Sequence, residues 1–160
     1  MLTEYMITDR MFGPMFNRAM LDILVAILCG GAIGLERQLR RRPAGLRVCI
    51  IVTLTTALFV TLGDVATADA GDPGRVMAGI ITGIGFLGAG VIFSNGGRVS
   101  GITTASLIWA LAAIGMTIGL GYPVTAIFTT CVLLFLIVGI GWAERRFAWL
   151  SLEAEHEGKE

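Results

Sequence analysis

The chain has 160 residues, with 12 basic side chains against 12 acidic ones and a net charge of zero. Its mean hydropathy is +0.80, with 55% hydrophobic and 15% charged residues. That balance excludes an ordinary soluble domain, gives no reason to expect a nucleic-acid partner, and leaves room for one membrane domain.

The first stretch, residues 1–19, carries Glu4 and Asp9 where a cleavable signal would carry positive charge, and no small-residue cleavage site follows. It reads as an interfacial lead-in, with Met and Phe in residues 11–20 near the membrane surface. Apolar runs of about 17–25 residues then place five spans near residues 20–35, 46–63, 76–93, 102–120 and 123–142. The fold class is therefore all-α, a polytopic membrane helical bundle, with a transmembrane domain over 20–142 and an acidic tail over 143–160. Trp142, Phe147 and Trp149 around Arg145 and Arg146 form an aromatic and basic anchor at the last exit. The tail's His156 reads as a solvated side chain.

Charge placement sets the orientation. Arg37, Arg40, Arg41, Arg42 and Arg47 lie between the first two spans, Arg98 between the third and fourth, and Arg145 and Arg146 after the fifth. With five spans these segments share one side, which the positive-inside rule makes cytoplasmic, giving N-out and C-in. Asp64, Asp69, Asp72 and Arg75 fall on the other side. The three acids could hold a hard cation, but their spacing matches no fixed coordination pattern and a solvated loop is the simpler reading. Cys29, Cys49 and Cys131 show no metal or disulfide spacing and read as small buried thiols.

The third span is unusual. In VMAGIITGIGFLGAGVIF, Gly79, Gly83, Gly85, Gly88 and Gly90 interrupt eighteen uncharged residues. GIGFLG, from Gly83 to Gly88, matches the dinucleotide fingerprint letter for letter. It lacks the acid that the fingerprint needs about 20 residues on, and it sits inside a longer apolar run. Glycines on two faces of one helix imply close neighbours on both, so this is expected to be the central helix of the bundle. The fourth span is its natural partner through its alanines and Gly115/Gly119, while the bulkier fifth suits the lipid. The first span carries another small pair, Gly30/Gly34.

Polar residues at membrane depth are the candidate functional groups. Asp22, Ala26, Cys29, Ile33 and Glu36 line one face of the first span, with a carboxylate near each end. Asp22 reads either as a helix-start acid or as a functional carboxylate. Glu36 has Arg37, Arg40 and Arg47 as partners. It reads either as a border charge or as the group that fixes the arginine loop in one shape. The arginines serve as a topogenic signal and anionic-lipid contact, or as a specific anion or partner site. The loop Ser94–Asn95–Gly96–Gly97–Arg98–Val99–Ser100–Gly101 is expected to turn tightly, with Ser100 or Thr103 capping the next helix. That helix N-terminus, beside Arg98, favours an anion or a carbonyl-rich ligand. The same segment also reads as a plain turn with an ordinary cap.

Three stretches carry a family resemblance: GGAIGLERQLRRRPAGLR (Gly30 to Arg47), RVMAGIITGIGFLGAGVIF (Arg75 to Phe93) and GITTASLIW (Gly101 to Trp109). In order and spacing the chain resembles the MgtC/SapB family of bacterial inner-membrane proteins, in the form of its short, membrane-domain-only members. It departs from the family pattern at Ser100, where an arginine is common, and at Val48–Cys49, where Thr–His is common. The resemblance implies a multi-pass protein of the bacterial inner membrane. It further implies a link to growth in low magnesium and to virulence, and action on membrane partners such as the proton-driven ATP synthase.

No nucleophile–base pair, metal cluster or phosphate loop stands in a credible context, so no enzyme activity and no cofactor are expected. The leading reading is a non-enzymatic regulator of membrane partners or ion homeostasis, with a homo-oligomer expected. Its contact residues are Asp22, Glu36, Arg37, Arg47, Arg75, Asn95, Arg98, Thr103 and Thr104. The alternative is a small oligomeric channel or transporter whose glycine helix is broken around a polar path.

Overall fold

A computed structural model of the chain describes residues 14–67, 72–95 and 98–146. The lead-in before residue 14 and the acidic tail beyond 146 lie outside the described residues. Five helices follow in order: α1 (Pro14–Leu39), α2 (Leu46–Thr67), α3 (Pro73–Val91), α4 (Ile102–Gly119) and α5 (Pro123–Arg146). Each is long and apolar enough to cross a membrane. The fold is the expected all-α membrane bundle, and the protein is a multi-pass membrane protein.

Helix ends are set by recognisable chemistry. The Asp72 side chain accepts a hydrogen bond from the Gly74 N–H at 2.8 Å, and Pro73 occupies the first turn, where its missing N–H is harmless. The sequence reading placed Asp72 in a solvated loop, whereas it is the cap of α3. At the far end of α4 the Tyr122 N–H reaches the Thr117 carbonyl and the Gly121 N–H that of Ile118, with Gly121 at φ 87°. This is a Schellman ending with glycine in its left-handed position, and Pro123 starts α5 directly after it. The same bonding closes α1: Arg42 N–H to the Arg37 carbonyl, and Arg41 N–H to that of Gln38. There the left-handed position is held by Arg41, at φ 53°. A non-glycine residue in that region costs on the order of 1 kcal/mol.

Between α3 and α4 the expected tight turn is a short antiparallel hairpin. β1 (Phe93–Asn95) and β2 (Arg98–Ser100) pair Phe93 with Ser100 and Asn95 with Arg98. A diglycine at 96–97 is a known hairpin signal. The expected cap on α4 is also corrected. Neither Ser100 nor Thr103 fills it; the cap is Gly101, at φ 92°, with no side-chain hydrogen bond to the helix.

The core lies between α1, α2 and α4. Ala26, Cys29 and Ile33 from α1 meet Cys49, Val52 and Ala57 from α2, and Leu111, Ile114 and Ile118 from α4. Glycines set the spacing. A side chain at Gly30 would stand 2.7 Å from the Cys49 carbonyl oxygen, and one at Gly34 2.7 Å from the Leu46 Cα. On α4, Gly115 presses on the Thr53 carbonyl oxygen at 2.5 Å and Gly119 on that of Ala57 at 2.6 Å, measured to where a Cβ would stand. Two small-xxx-small pairs thus close on successive turns of α2, Gly30/Gly34 against Leu46 to Thr53 and Gly115/Gly119 against Thr53 to Val60.

The glycine-rich helix is not at the centre. Only 6% of the α3 span is buried, against 50% of α4. A Cβ placed at Gly79, Gly83, Gly85 or Gly90 would meet nothing within 4 Å, and Phe86 is 81% exposed. Gly88, which would contact the Ala105 Cβ at 3.7 Å, and the buried Ile84 mark the face that rests on α4. α4 is the partner expected for this helix, but its own glycines face α2 rather than α3. The α3 helix is also continuous through Gly85–Gly88.

Candidate functional site

Polar groups gather at the two ends of α1. Along that helix Asp22, Ala26, Cys29 and Ile33 are all buried, so the face deduced from spacing does turn inward. Asp22 and Glu36 stand about 21 Å apart at the helical rise of about 1.5 Å per residue. The α1 segment between them carries no charged side chain.

At the first end, Asp22 is 6% exposed and its Oδ2 has no hydrogen-bond partner. It borders a small void of about 30 Å³ whose other walls include Ala19, Leu54, Ala57 and Thr61. Arg18 stands one turn earlier on α1, and its guanidinium packs into the space beside Gly121. The void has the size of about one water molecule.

The second end is richer. α1 extends past the expected border, so Glu36 and Arg37 sit on its last turns and not in the loop. Arg37 is only 5% exposed. Its Nη2 donates to the Thr104 Oγ1 on α4 at 2.8 Å and to the Pro43 carbonyl at 2.8 Å, and its Nε donates to the same carbonyl at 3.2 Å. One guanidinium therefore ties α1, the arginine loop and the first turn of α4 together. Thr104 is itself 4% exposed. The Arg37 acceptors are both neutral. The carboxylate beside it on the chain, Glu36, pairs instead with Arg40 at 2.6 Å, one turn on. The second carboxylate oxygen of Glu36 is buried without a partner.

These groups line a cavity of about 480 Å³. Arg40, Arg42 and Pro43 complete the polar wall beside Glu36 and Arg37, and Gly101, Thr103 and Thr104 bring in the uncapped N-terminus of α4. Opposite stand Leu136, Ile137, Ile140 and Gly141 of α5. Gly141 leaves room for the Arg40 Nη1, which lies 2.9 Å from where a Cβ would stand. Contacts of this kind put the arginine loop, the start of α4 and the end of α5 at one end of the bundle, as the charge pattern required.

Of the sequence-nominated residues, Glu36, Arg37, Thr103 and Thr104 meet in this cavity. Asp22 does not; it belongs to the other end. Arg47 and Arg75 are exposed and line neither cavity. The side chains of Asn95 and Arg98 lie outside the described residues, as do those of Asp64 and Asp69. Of the partners expected for Glu36, Arg40 is the one that pairs with it; Pro43 and the α5 wall were not singled out. Nothing local on α1 points to α5. Among the described residues, no group of three or more His, Cys, Asp or Glu could hold a metal ion.

Comparison with known proteins adds an independent line. Residues 23–146 match the MgtC family. Protein MgtC of Salmonella typhimurium is 41% identical over 137 residues, covering 86% of this chain and 58% of that protein. Protein MgtC of Brucella abortus is 48% identical over 96 residues, covering 60% of this chain and 40% of the relative. A Haemophilus influenzae protein is 40% identical over 122 residues, covering 70% and 51% respectively. The chain thus spans less than two thirds of the length of these relatives. No solved structure matches it.

Proposed function

The chain belongs to the MgtC family, and from that premise we propose that it is a non-enzymatic regulator in the bacterial inner membrane. It acts on membrane partners, an ATP synthase-like complex among the candidates, and through them on magnesium-linked ion homeostasis. The observation that carries this reading is the separation of its polar groups. Asp22 and the Arg37 cluster sit at opposite ends of α1, and between them Ala26, Ile33, Leu111, Ile114 and Ile118 are almost completely buried. A conduit needs a polar or wet path through its middle, whereas this core is packed mainly by apolar side chains and close-set glycines. Its buried Thr53 and Thr130 hydroxyls donate to the Cys49 and Ala126 carbonyls of their own helices. The Arg37 tie joins three segments at one end, which suits an element that holds or releases a shape. In the positive-inside orientation that end is cytoplasmic.

One observation favours the rival, an oligomeric channel or transporter. The open glycine face of α3 gives a second copy a place to approach closely, and a path could then form between chains. Reconstitution into liposomes with Mg²⁺, proton and K⁺ flux readouts separates the two. The regulator predicts no flux, together with restored growth in low magnesium when the gene is returned to a deletion strain, and loss of that rescue in Glu36→Gln. Flux that disappears in Gly85→Leu would establish the channel instead. Reporter fusions at the two ends should report opposite sides, with the C-terminus cytoplasmic.

A further inference from the structure

We propose that the cavity at the end of α1 is a binding site for a phosphate-bearing ligand, taken either from a phospholipid headgroup or as free orthophosphate. The proposal concerns what occupies the site and holds whether the protein regulates or transports.

Charge is the first argument. Arg37 is a permanently charged group at 5% exposure whose hydrogen bonds go to neutral acceptors. A buried cation is costly unless an anion balances it. Glu36 acts on Arg37 but is shared with Arg40, to which it is paired, and Arg42 on the same wall adds further positive charge. Three guanidinium groups around one carboxylate leave the cavity net positive. Arginine is also the side chain whose planar set of donors best matches phosphate oxygens.

Hydrogen-bond supply is the second argument. α4 opens on Gly101 with no side-chain cap, so its first N–H groups lack an acceptor from the cap residue, and Gly101, Thr103 and Thr104 of this first turn line the cavity. The buried, unpartnered Glu36 oxygen makes the opposite demand, for a donor. A phosphate that carries a hydroxyl or ammonium group beside it satisfies both. The glycerol or ethanolamine headgroup of a bacterial phospholipid has that composition, and so does monoprotonated orthophosphate.

Shape is the third argument. The volume of about 480 Å³ exceeds what a bare anion fills. The wall facing the arginines is apolar, and its Leu136 and Ile140 are also exposed on the outer surface of the bundle. The cavity is thus polar on one side and continuous with the lipid-facing surface on the other, the form a headgroup with attached acyl chains would occupy. Basic pockets between transmembrane helices are established headgroup sites in general.

The test uses the full chain, delipidated and then reconstituted in bilayers of phosphatidylcholine alone or with phosphatidylglycerol added, with retained lipid read by native mass spectrometry. A parallel arm measures the thermal shift given by inorganic phosphate against chloride at matched ionic strength. Selective retention of phosphatidylglycerol supports the headgroup source, and a phosphate-specific shift without lipid selectivity supports the free anion. In either case Arg42→Gln, on an exposed loop, should weaken binding about tenfold without changing the melting temperature of the unliganded protein. Arg37→Gln should weaken it further, and Arg42→Gln decides alone if that variant does not fold. Equal retention of both lipids with no phosphate-specific shift overturns the proposal. So does selectivity that survives Arg42→Gln, because the ligand then sits elsewhere.

Discussion

Gly115 and Gly119 on α4 and Gly83 and Gly85 on α3 are the same residue in the same kind of uncharged helix, yet their surroundings are opposite. At the first pair a Cβ would stand 2.5 and 2.6 Å from backbone carbonyl oxygens of α2; at the second it would meet nothing within 4 Å. In the α1/α2/α4 seam, glycine is required because another backbone occupies the space a side chain would take. On α3 it leaves the helix smooth toward whatever lies outside the chain. A missing side chain permits close approach but does not supply the neighbour, so glycine content alone does not locate the centre of a membrane bundle.

Substitutions can break this contrast in graded steps. The largest effect is expected for Gly115→Leu, with Gly34→Leu close behind. Each drives carbon into a backbone that cannot give way without separating the helices, a loss of about 3 kcal/mol or more. Thermal unfolding in micelles should show it, and a wild-type melting temperature would remove the seam from the account. Thr104→Val comes next. It deletes the bond from Arg37 to α4 while keeping the shape, and hydrogen bonds between membrane helices contribute about 0.6–1.7 kcal/mol. Hydrogen exchange should then rise at the start of α4 and in the arginine loop together; a rise in only one of them would deny that Arg37 couples the two.

Asp72→Ala removes the cap of α3, an exposed bond whose loss should cost about 1 kcal/mol. It should fray the first turn of that helix and leave α1, α2 and α4 protected. The smallest effect belongs to Gly83→Leu and Gly85→Leu, which should change monomer stability by less than about 0.5 kcal/mol. A large loss in the monomeric protein would contradict the exposed placement of α3. A fall in oligomer size with unchanged monomer stability would assign the open face to a second copy.

Much of the architecture could be read from residue patterns. The five spans follow from uninterrupted apolar length, and the inward face of α1 follows from the spacing of Asp22, Ala26, Cys29 and Ile33. The Gly30/Gly34 pair is buried as its spacing suggested. The site was legible in part. Glu36, Arg37, Thr103 and Thr104 stood out as polar groups at membrane borders, but their assembly did not, because Arg37 and Thr104 are 67 positions apart. Nothing on either helix encodes that approach. Pro43 enters only through its carbonyl, a group every residue has. The α5 wall is ordinary apolar sequence, and it becomes part of a site only because the end of α5 passes the arginine loop.

Span number, span order and the grouping of arginines at one end were settled along the chain itself, since a bilayer demands about 20 apolar residues per crossing and charge cannot rest in its middle. Which glycines are covered, which arginine is buried and where a cavity remains depended on how the finished helices lean on one another. Close packing is a property of pairs of surfaces, and the pattern on a single helix states at most one half of each pair.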